Sequence, residues 1–134
     1  MKAVAFVVPG PPAPWHVYTR WDKSASKARL KAYQEHVKIV ATQAMAGCPP
    51  HEGPVDLSID FFREIPASAP KGAKARQKWC DAHILKSPDA DNYAKGCQDS
   101  MNRVVYSDDS VVIKRQITKG YREGGETVIT VRFL

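Results

Sequence analysis

Four aspartates and a lysine lie close together along one stretch of the chain. Their side-chain types and their spacing could support a chemical reaction. Asp89 and Asp91 stand two residues apart, Lys95 follows one helical turn later, and Asp108 and Asp109 form an adjacent pair. Two like charges about 4 Å apart interact by roughly 4 kcal/mol at an effective dielectric of ~20, so converging carboxylates need a cation. Mg²⁺, with Mn²⁺ as a substitute, prefers such oxygen ligands and pairs readily with phosphate. The four aspartates therefore predict a metal site for phosphodiester hydrolysis, in which the cation polarises the ester and generates hydroxide from water.

The chain around the first pair is expected to turn both carboxylates towards one ion. Pro88 disfavours helix at Ser87, so the approach to Asp89 should be extended. Residues two apart in an extended segment point to the same side, which would bring Asp89 and Asp91 together. Asp91 or Asn92 can also cap the helix that follows and keep this turn rigid.

Lys95 and the second aspartate pair are expected to complete this arrangement. Lys95 lies four residues after Asp91 on the same helix face, where it can neutralise the carboxylates or contact a phosphate or a leaving oxygen. Asp108 and Asp109 are expected to begin the following strand. If that strand lies beside the start of the helix, one of the two joins the cluster.

A second interpretation of the aspartates needs no metal. Acidic pairs also occur in solvated turns, and Asp89 or Asp91 can serve only as a helix cap. An EF-hand loop starting at Asp89 is excluded, because Ala94 stands where glycine is required and Ser100 where the bidentate glutamate belongs. The sequence also contains no P-loop, dinucleotide fingerprint or Ser/His/Asp order.

Composition and charge indicate one basic, globular domain. The chain has 134 residues, of which 43% are hydrophobic and 25% charged. The formal net charge of +6 favours an anionic partner, with nucleic acid as the leading candidate, although many basic proteins are merely well solvated. The short apolar N-terminal run lacks the length of a signal peptide, and no stretch approaches a membrane span. We therefore expect a cytoplasmic protein with no membrane partner.

The cysteines indicate a reducing compartment and not a disulfide scaffold. Cys48, Cys80 and Cys97 are odd in number and widely spaced. Cys48 with His51 and Cys80 with His83 form two Cys-x-x-His pairs, which could supply four zinc ligands. Chance spacing is the preferred interpretation, because structural zinc sites usually place their ligands in recognisable knuckles or helices.

Hydrophobic periodicity and turn residues predict an α+β fold. A first helix is expected from a cap at Ser24 or Ser26 to about Met45, and Gly124-Gly125 indicates a hairpin between the last two strands. The expected result is a single domain with a mixed sheet of about four strands and two main helices packed on it. Strands are predicted over 3–8, 55–62, 111–118 and 127–133, a second helix over 91–103, and a candidate short helix over 71–78.

The pattern over residues 86–121 resembles that of RusA-type Holliday-junction resolvases, which are small endodeoxyribonucleases often carried by phages and prophages. A proline-rich segment after the first strand, Pro9-Gly-Pro-Pro12, followed by a long helix, is also similar to the family. The likeness therefore spans nearly the whole chain. The segments that carry it most specifically are Pro88-Asp-Ala-Asp-Asn92, Lys95, Asp99-Ser-Met-Asn102, Val105-Tyr-Ser-Asp-Asp-Ser110 and Lys119-Gly-Tyr121.

This resemblance implies a magnesium-dependent homodimer that binds branched DNA, namely four-way junctions, and nicks two opposing strands symmetrically, with phage DNA packaging and DNA repair both open as its role. Carried over position by position, the catalytic residues fall on Asp89, Asp91, Asp109 and Lys95, with Asp108 as a weaker candidate. A two-fold dimer is also reasonable physically, because a four-way junction has approximate two-fold symmetry. Two departures from the family pattern are Gly96-Cys97, where larger apolar residues are usual, and the long, basic segment 65–83.

Basic side chains outside the acidic cluster are expected to contact DNA phosphates and to carry no sequence information. Trp15, Tyr18 and Trp21 lie in a basic loop. We expect them to plug a core or a dimer interface, with a wedge against unstacked bases as the alternative. The basic residues assigned to DNA binding are Lys23, Lys27, Lys74, Arg76, Lys114, Lys119 and Arg122.

Overall fold

A computed structural model describes residues 1–86 and 88–134 and shows one mixed sheet with helices packed on it. The predicted α+β class is confirmed, with four strands and three α-helices in the described part of the chain. None of these helices is long and apolar enough to cross a membrane. The elements in chain order are β1 (Ala3–Pro9), α1 (Ala25–Met45), β2 (Val55–Glu64), α2 (Ala73–His83), α3 (Ala90–Met101), β3 (Val112–Arg122) and β4 (Glu126–Phe133).

The sheet has the strand order β1-β4-β2-β3, so the predicted hairpin between β3 and β4 is wrong. β2 lies between them, antiparallel to β4 and parallel to β3. Gly124 and Gly125, with φ of 74° and 71°, carry the chain across the end of β2 instead of closing a hairpin. A Cβ on Gly125 would stand 2.8 Å from the Cα of Pro11 and 3.1 Å from the carbonyl oxygen of Phe62, so this crossing requires glycine.

Helix α1 forms for the reasons that the sequence predicts. Ser24 is its N-cap and accepts a hydrogen bond from the backbone N–H of Lys27 at 3.3 Å. The helix ends at Ala46, which is left-handed with φ of 49°. One apolar stripe faces the core, consisting of Leu30, Tyr33, Val37, Ala41 and Met45.

Helix α3 is held against the sheet by aromatic packing at its N-terminal half. Tyr93 stacks on Phe61 of β2 with ring centroids 5.3 Å apart. Cys97 and Met101, one and two turns further along, are completely buried, as the sequence predicts. By contrast, α2 contributes no buried residue, so α1 and α3 are the two main packed helices. This packing fixes the start of α3 against the sheet.

Candidate active site

The N-terminal turn of α3 positions two of the predicted aspartates. Asp89 is the N-cap, with φ of −68° and ψ of 152°, and its side chain makes no capping hydrogen bond. The helix begins at Ala90, so Asp91 lies in its first turn and neither Asp91 nor Asn92 is the cap that the sequence suggested. The extended geometry therefore applies to Asp89 alone. The expected extended conformation at Ser87 lies outside the described residues. Acidic side chains at this end of a helix are stabilised by its dipole.

Lys119 anchors the segment that leads into Asp89. Its Nζ donates to the carbonyl oxygens of Lys86 at 3.1 Å and Pro88 at 3.4 Å. Tyr121, two residues later on the same strand, packs edge-on against Trp79 of α2 at 5.3 Å between ring centroids. In this structure Lys119, which the sequence assigned to DNA binding, is engaged in holding the loop.

Asp91 is paired with Arg115 of β3. The guanidinium Nη2 donates to Asp91 Oδ1 at 2.9 Å, while Nη1 donates to the side-chain oxygen of Gln98 at 2.8 Å. The Asp91 side chain nevertheless remains 83% exposed, so one carboxylate face stays open to solvent and ligands. The sequence did not predict this ion pair.

Lys95 lies over the ring of Trp15. Its Nζ is 3.6 Å from the ring centroid, a cation–π contact that places the ammonium one turn beyond Asp91. The backbone N–H of Trp15 also donates to the carbonyl oxygen of Asn92 at 2.8 Å, which docks the proline-rich loop onto α3. Trp15 and Tyr18 pack against the core as expected, whereas Trp21 is 74% exposed and plugs no core.

Asp108 and Asp109 precede β3 and do not begin it. A short 3-10 turn spans Asp109–Val111, with Asp108 as its N-cap, and the strand starts only at Val112. Asp108 accepts a hydrogen bond from the hydroxyl of Ser110 at 3.1 Å. The backbone N–H of Val111 donates to the carbonyl oxygen of Asp108 at 3.1 Å, which closes the turn.

Asp99 is an exposed residue of α3, one turn beyond Lys95, to which the sequence reasoning assigned no role. Desolvation by burial raises the pKa of Asp99, the charge of Asp109 raises it further, and Lys95 opposes them. Asp109 also contributes, after burial, to the raised pKa of Tyr106. The four-residue spacing of Asp91, Lys95 and Asp99 on one helix face was the signal available in the sequence.

The expected closed cluster of three aspartates is not formed. In residues 1–86 and 88–134, no three His, Cys, Asp or Glu side chains lie close enough together to hold a metal ion. The carboxylate of Asp91 is instead paired with Arg115 of β3 at 2.9 Å. The donor set still fits Mg²⁺ by chemistry, because that ion is usually bound by one or two carboxylates and keeps several waters.

The histidines of the two Cys-x-x-His pairs pack against aromatic rings. The ring of His51 packs on Phe133 with centroids 4.7 Å apart, and the ring of His83 stacks on Trp79 at 4.0 Å. Among the described residues, neither Cys48 nor Cys80 belongs to a group of three or more side chains that could hold a metal ion.

Most of the basic residues assigned to DNA have a partner within the chain. Lys27 donates to the carbonyl oxygen of Thr19 at 2.7 Å, and Lys114 lies 3.9 Å from Asp56. The side chain of Lys114 is 72% exposed, and ion pairs made by exposed side chains are weak, so Lys114 can exchange this partner for a phosphate. Arg76 pairs with Glu123 and Arg122 with Glu126, whereas Lys23 and Lys74 have no ion pair or side-chain hydrogen bond among the described residues.

Comparison with known proteins identifies a matching family and a relative. The family described as endodeoxyribonuclease RusA matches residues 9–132. An uncharacterized protein of Bacillus subtilis (strain 168), YqaN, is 31% identical over 108 residues, which is 78% of this chain and 75% of the relative. The family match includes the proline-rich loop, α3 and the aspartate pair before β3, and it confirms the resemblance inferred from the motifs.

Proposed function

We propose that this chain, which belongs to the endodeoxyribonuclease RusA family, resolves four-way DNA junctions by magnesium-dependent nicking of two opposing strands. Family membership implies an endonuclease that acts on Holliday junctions. The metal requirement, the symmetry of the cuts and the homodimer are our proposals. The observation that supports the metal requirement is the start of α3, where the side chains of Asp89 and Asp91 are exposed and Asp91 precedes Lys95 by one turn, all within the matched segment.

Asp89 and Asp91 would hold the cation, with Asp109 as the third ligand and Asp108 as a weaker candidate. Both of the first two side chains are exposed, and that of Asp89 is not used in capping, so their oxygens are accessible to an ion. A bound Mg²⁺, or Mn²⁺ in its place, would polarise the scissile phosphodiester and stabilise the leaving oxygen.

The basic residues of the site have separate tasks in this proposal. Lys95, steered by its contact with Trp15, pairs with a phosphate oxygen beside the carboxylates. Arg115 limits the negative charge of Asp91, which would otherwise repel the DNA backbone. Lys119 keeps the loop before Asp89 in place. Together they allow a polyanionic strand to approach an acidic site.

A homodimer would place two such sites on one junction. A four-way junction has approximate two-fold symmetry, and a two-fold dimer can present an active site to each of two opposing strands. One protomer could nick only one strand in each encounter. Light scattering over a range of protein concentrations tests this part, and a molecular mass of one chain under nicking conditions would contradict it.

A magnesium titration with an end-labelled four-way junction tests the nuclease assignment. The wild type should nick only when Mg²⁺ is added, and Asp91→Asn should abolish nicking while preserving or tightening junction binding, because it removes a negative charge near phosphate. Glu52→Gln is the matched control, since it removes the same charge from an exposed residue that precedes β2. Nicking by Asp91→Asn at the wild-type rate would contradict the assignment.

One observation favours a second function, a DNA-binding module without catalysis. The pairing of Asp91 with Arg115 is what a purely structural aspartate would show. Junction binding without nicking at any Mg²⁺ or Mn²⁺ concentration would support that function. Equal cutting of a linear duplex and a junction of the same length would instead indicate a nuclease without junction selectivity.

A further inference from the structure

A cleft of about 690 Å³ opens directly beside the candidate active site. Pro88 and Asn92, which bracket Asp89 and Asp91 in the chain, form part of its wall. Trp15 lines the cleft as well and also carries the ammonium of Lys95 on its ring. Any group bound in this cleft would therefore lie next to the residues proposed to act on a phosphate.

The walls of the cleft are aromatic and proline-rich, and they are held in place by the fold. Tyr18 and Tyr33 line it together with Trp15, and the hydroxyl of Tyr33 is fixed by a buried hydrogen bond to Thr127 at 2.5 Å. The loop on the other side is tied down at both ends, because Gly10 donates to the carbonyl oxygen of Gly125 and Trp15 to that of Asn92. Such a preformed apolar slot suits a flat ring.

The charges around the cleft suit an anion. Arg29 supplies a positive charge, His16 and His36 add imidazole groups that can donate hydrogen bonds, and no Asp or Glu is among the described lining residues. Asn92 and Ser26 add neutral groups that can exchange hydrogen bonds with the edge of a base. Aromatic walls with a cationic rim are the combination by which proteins bind single-stranded nucleotides.

We infer that this cleft holds one unstacked base of the DNA strand whose phosphate lies at Asp91 and Lys95, an inference that rests on the proposed nuclease function. The base would stack against Trp15 or Tyr18, and Arg29 would contact the adjoining phosphate. Bases at a junction or beside a nick are unstacked more easily than bases in a continuous duplex. The cleft thereby favours branched DNA and reads the nucleotide beside the cut.

Filling the cleft tests this inference without touching the aspartates or Lys95. Ala32 lines the cleft from α1, so Ala32→Phe would occupy it, and Ser26→Tyr is a second filling variant. Ala28→Phe is the matched control, because Ala28 is an exposed alanine one turn earlier on the same helix and does not line the cleft. Thermal melting checks that all three variants fold.

The binding readout is the indole N–H resonance of Trp15 in an NMR titration with deoxyadenosine monophosphate. We expect a saturable shift in the wild type and in Ala28→Phe, and binding weaker by about 5- to 150-fold in both filling variants, the range for loss of one stacked base. Equal shifts with deoxyribose 5-phosphate, which has no base, would overturn the inference. A shift of the Trp15 resonance that depends on protein concentration alone would also overturn the inference, because a second copy of the chain would then occupy the cleft.

The cleavage readout is a junction with one abasic site moved through the positions around the cut. The wild type should lose about 5- to 150-fold in cleavage rate at one position, and the filling variants should be insensitive there. Equal rates at every position would overturn the inference while leaving the nuclease intact. A wild type that cuts no junction would refute the nuclease function, and the NMR titration would then decide on the cleft by itself.

Discussion

Replacing Lys119 with methionine distinguishes an anchor of the active-site loop from a DNA contact. Methionine has nearly the same length as lysine but cannot donate to the carbonyl oxygens of Lys86 and Pro88, which lie 3.1 and 3.4 Å from Nζ. A hydrogen bond from a charged group contributes about 1.5–3 kcal/mol to stability. Partial exposure of Lys119 and the greater length of its second hydrogen bond reduce the combined contribution of the two bonds to about 1–2 kcal/mol. The population of correctly placed loop should therefore fall about 5- to 30-fold.

The assay is single-turnover cleavage of a four-way junction, measured with junction affinity over a series of salt concentrations. Lys119→Met should lower the cleavage rate about 5- to 30-fold and leave the junction Kd and its salt dependence nearly unchanged. Lys38→Met is the control, because Lys38 is an exposed lysine of α1 that is not assigned to DNA binding. If Lys119→Met cleaves bound junction normally but reduces the logarithmic salt slope by about 1, Lys119 contacts a phosphate and the anchoring role is wrong.

Three further predictions follow from the packing and charges around α3. Arg115→Gln frees the carboxylate of Asp91 from its ion pair, which contributes at most about 1 kcal/mol because it is exposed. The Mg²⁺ concentration for half-maximal cleavage should therefore fall by up to about 5-fold in a titration. An unchanged or higher concentration would contradict this prediction. Burial, and then a neighbouring acidic charge, raises the pKa of Asp99 above 3.8, so its ionised form destabilises the fold at neutral pH. Asp99→Asn should accordingly raise the Tm at pH 7. This gain in Tm should disappear below about pH 3, where the aspartate is protonated in both folded and unfolded chains. Equal Tm values of the variant and the wild type at pH 7 would contradict the prediction. Burial raises the pKa of the Cys97 thiol to about 12, so iodoacetamide at pH 8 should alkylate exposed Cys48 and spare Cys97 in the native protein. Mass spectrometry of peptides measures the alkylation of each cysteine. Rapid alkylation of both thiols would mean that the core opens.

Local patterns in the sequence predicted the helices well. The cap at Ser24 and the apolar stripe of α1 depend on residues within a few positions of one another, and so do Asp91 and Lys95 on the first turns of α3. The glycine pair at 124–125 correctly indicated a turn. It could not indicate that β2 would pair between the strands that the turn connects.

Contacts between distant parts of the chain were beyond the reach of these patterns. Arg115 reaches Asp91 across 24 positions, and Lys119 reaches the carbonyl oxygen of Pro88 across 31. Both contacts exist because β3 runs parallel to β2 and lies beside α3, a pairing that depends on burial across the whole sheet. The docking of Trp15 on α3 depends on the same tertiary packing. The sequence therefore indicated which residues gather near α3 but not which side chains pair there.

Mapping the nick positions on a four-way junction labelled in turn on each strand tests the central claim most directly. With Mg²⁺ present, the wild type should make two nicks at symmetric positions on two opposing strands, and Asp91→Asn should make none while still binding the junction. An absence of nicks with the wild type, or nicking of a linear duplex at the same rate, would contradict the account of this site as a junction-resolving nuclease.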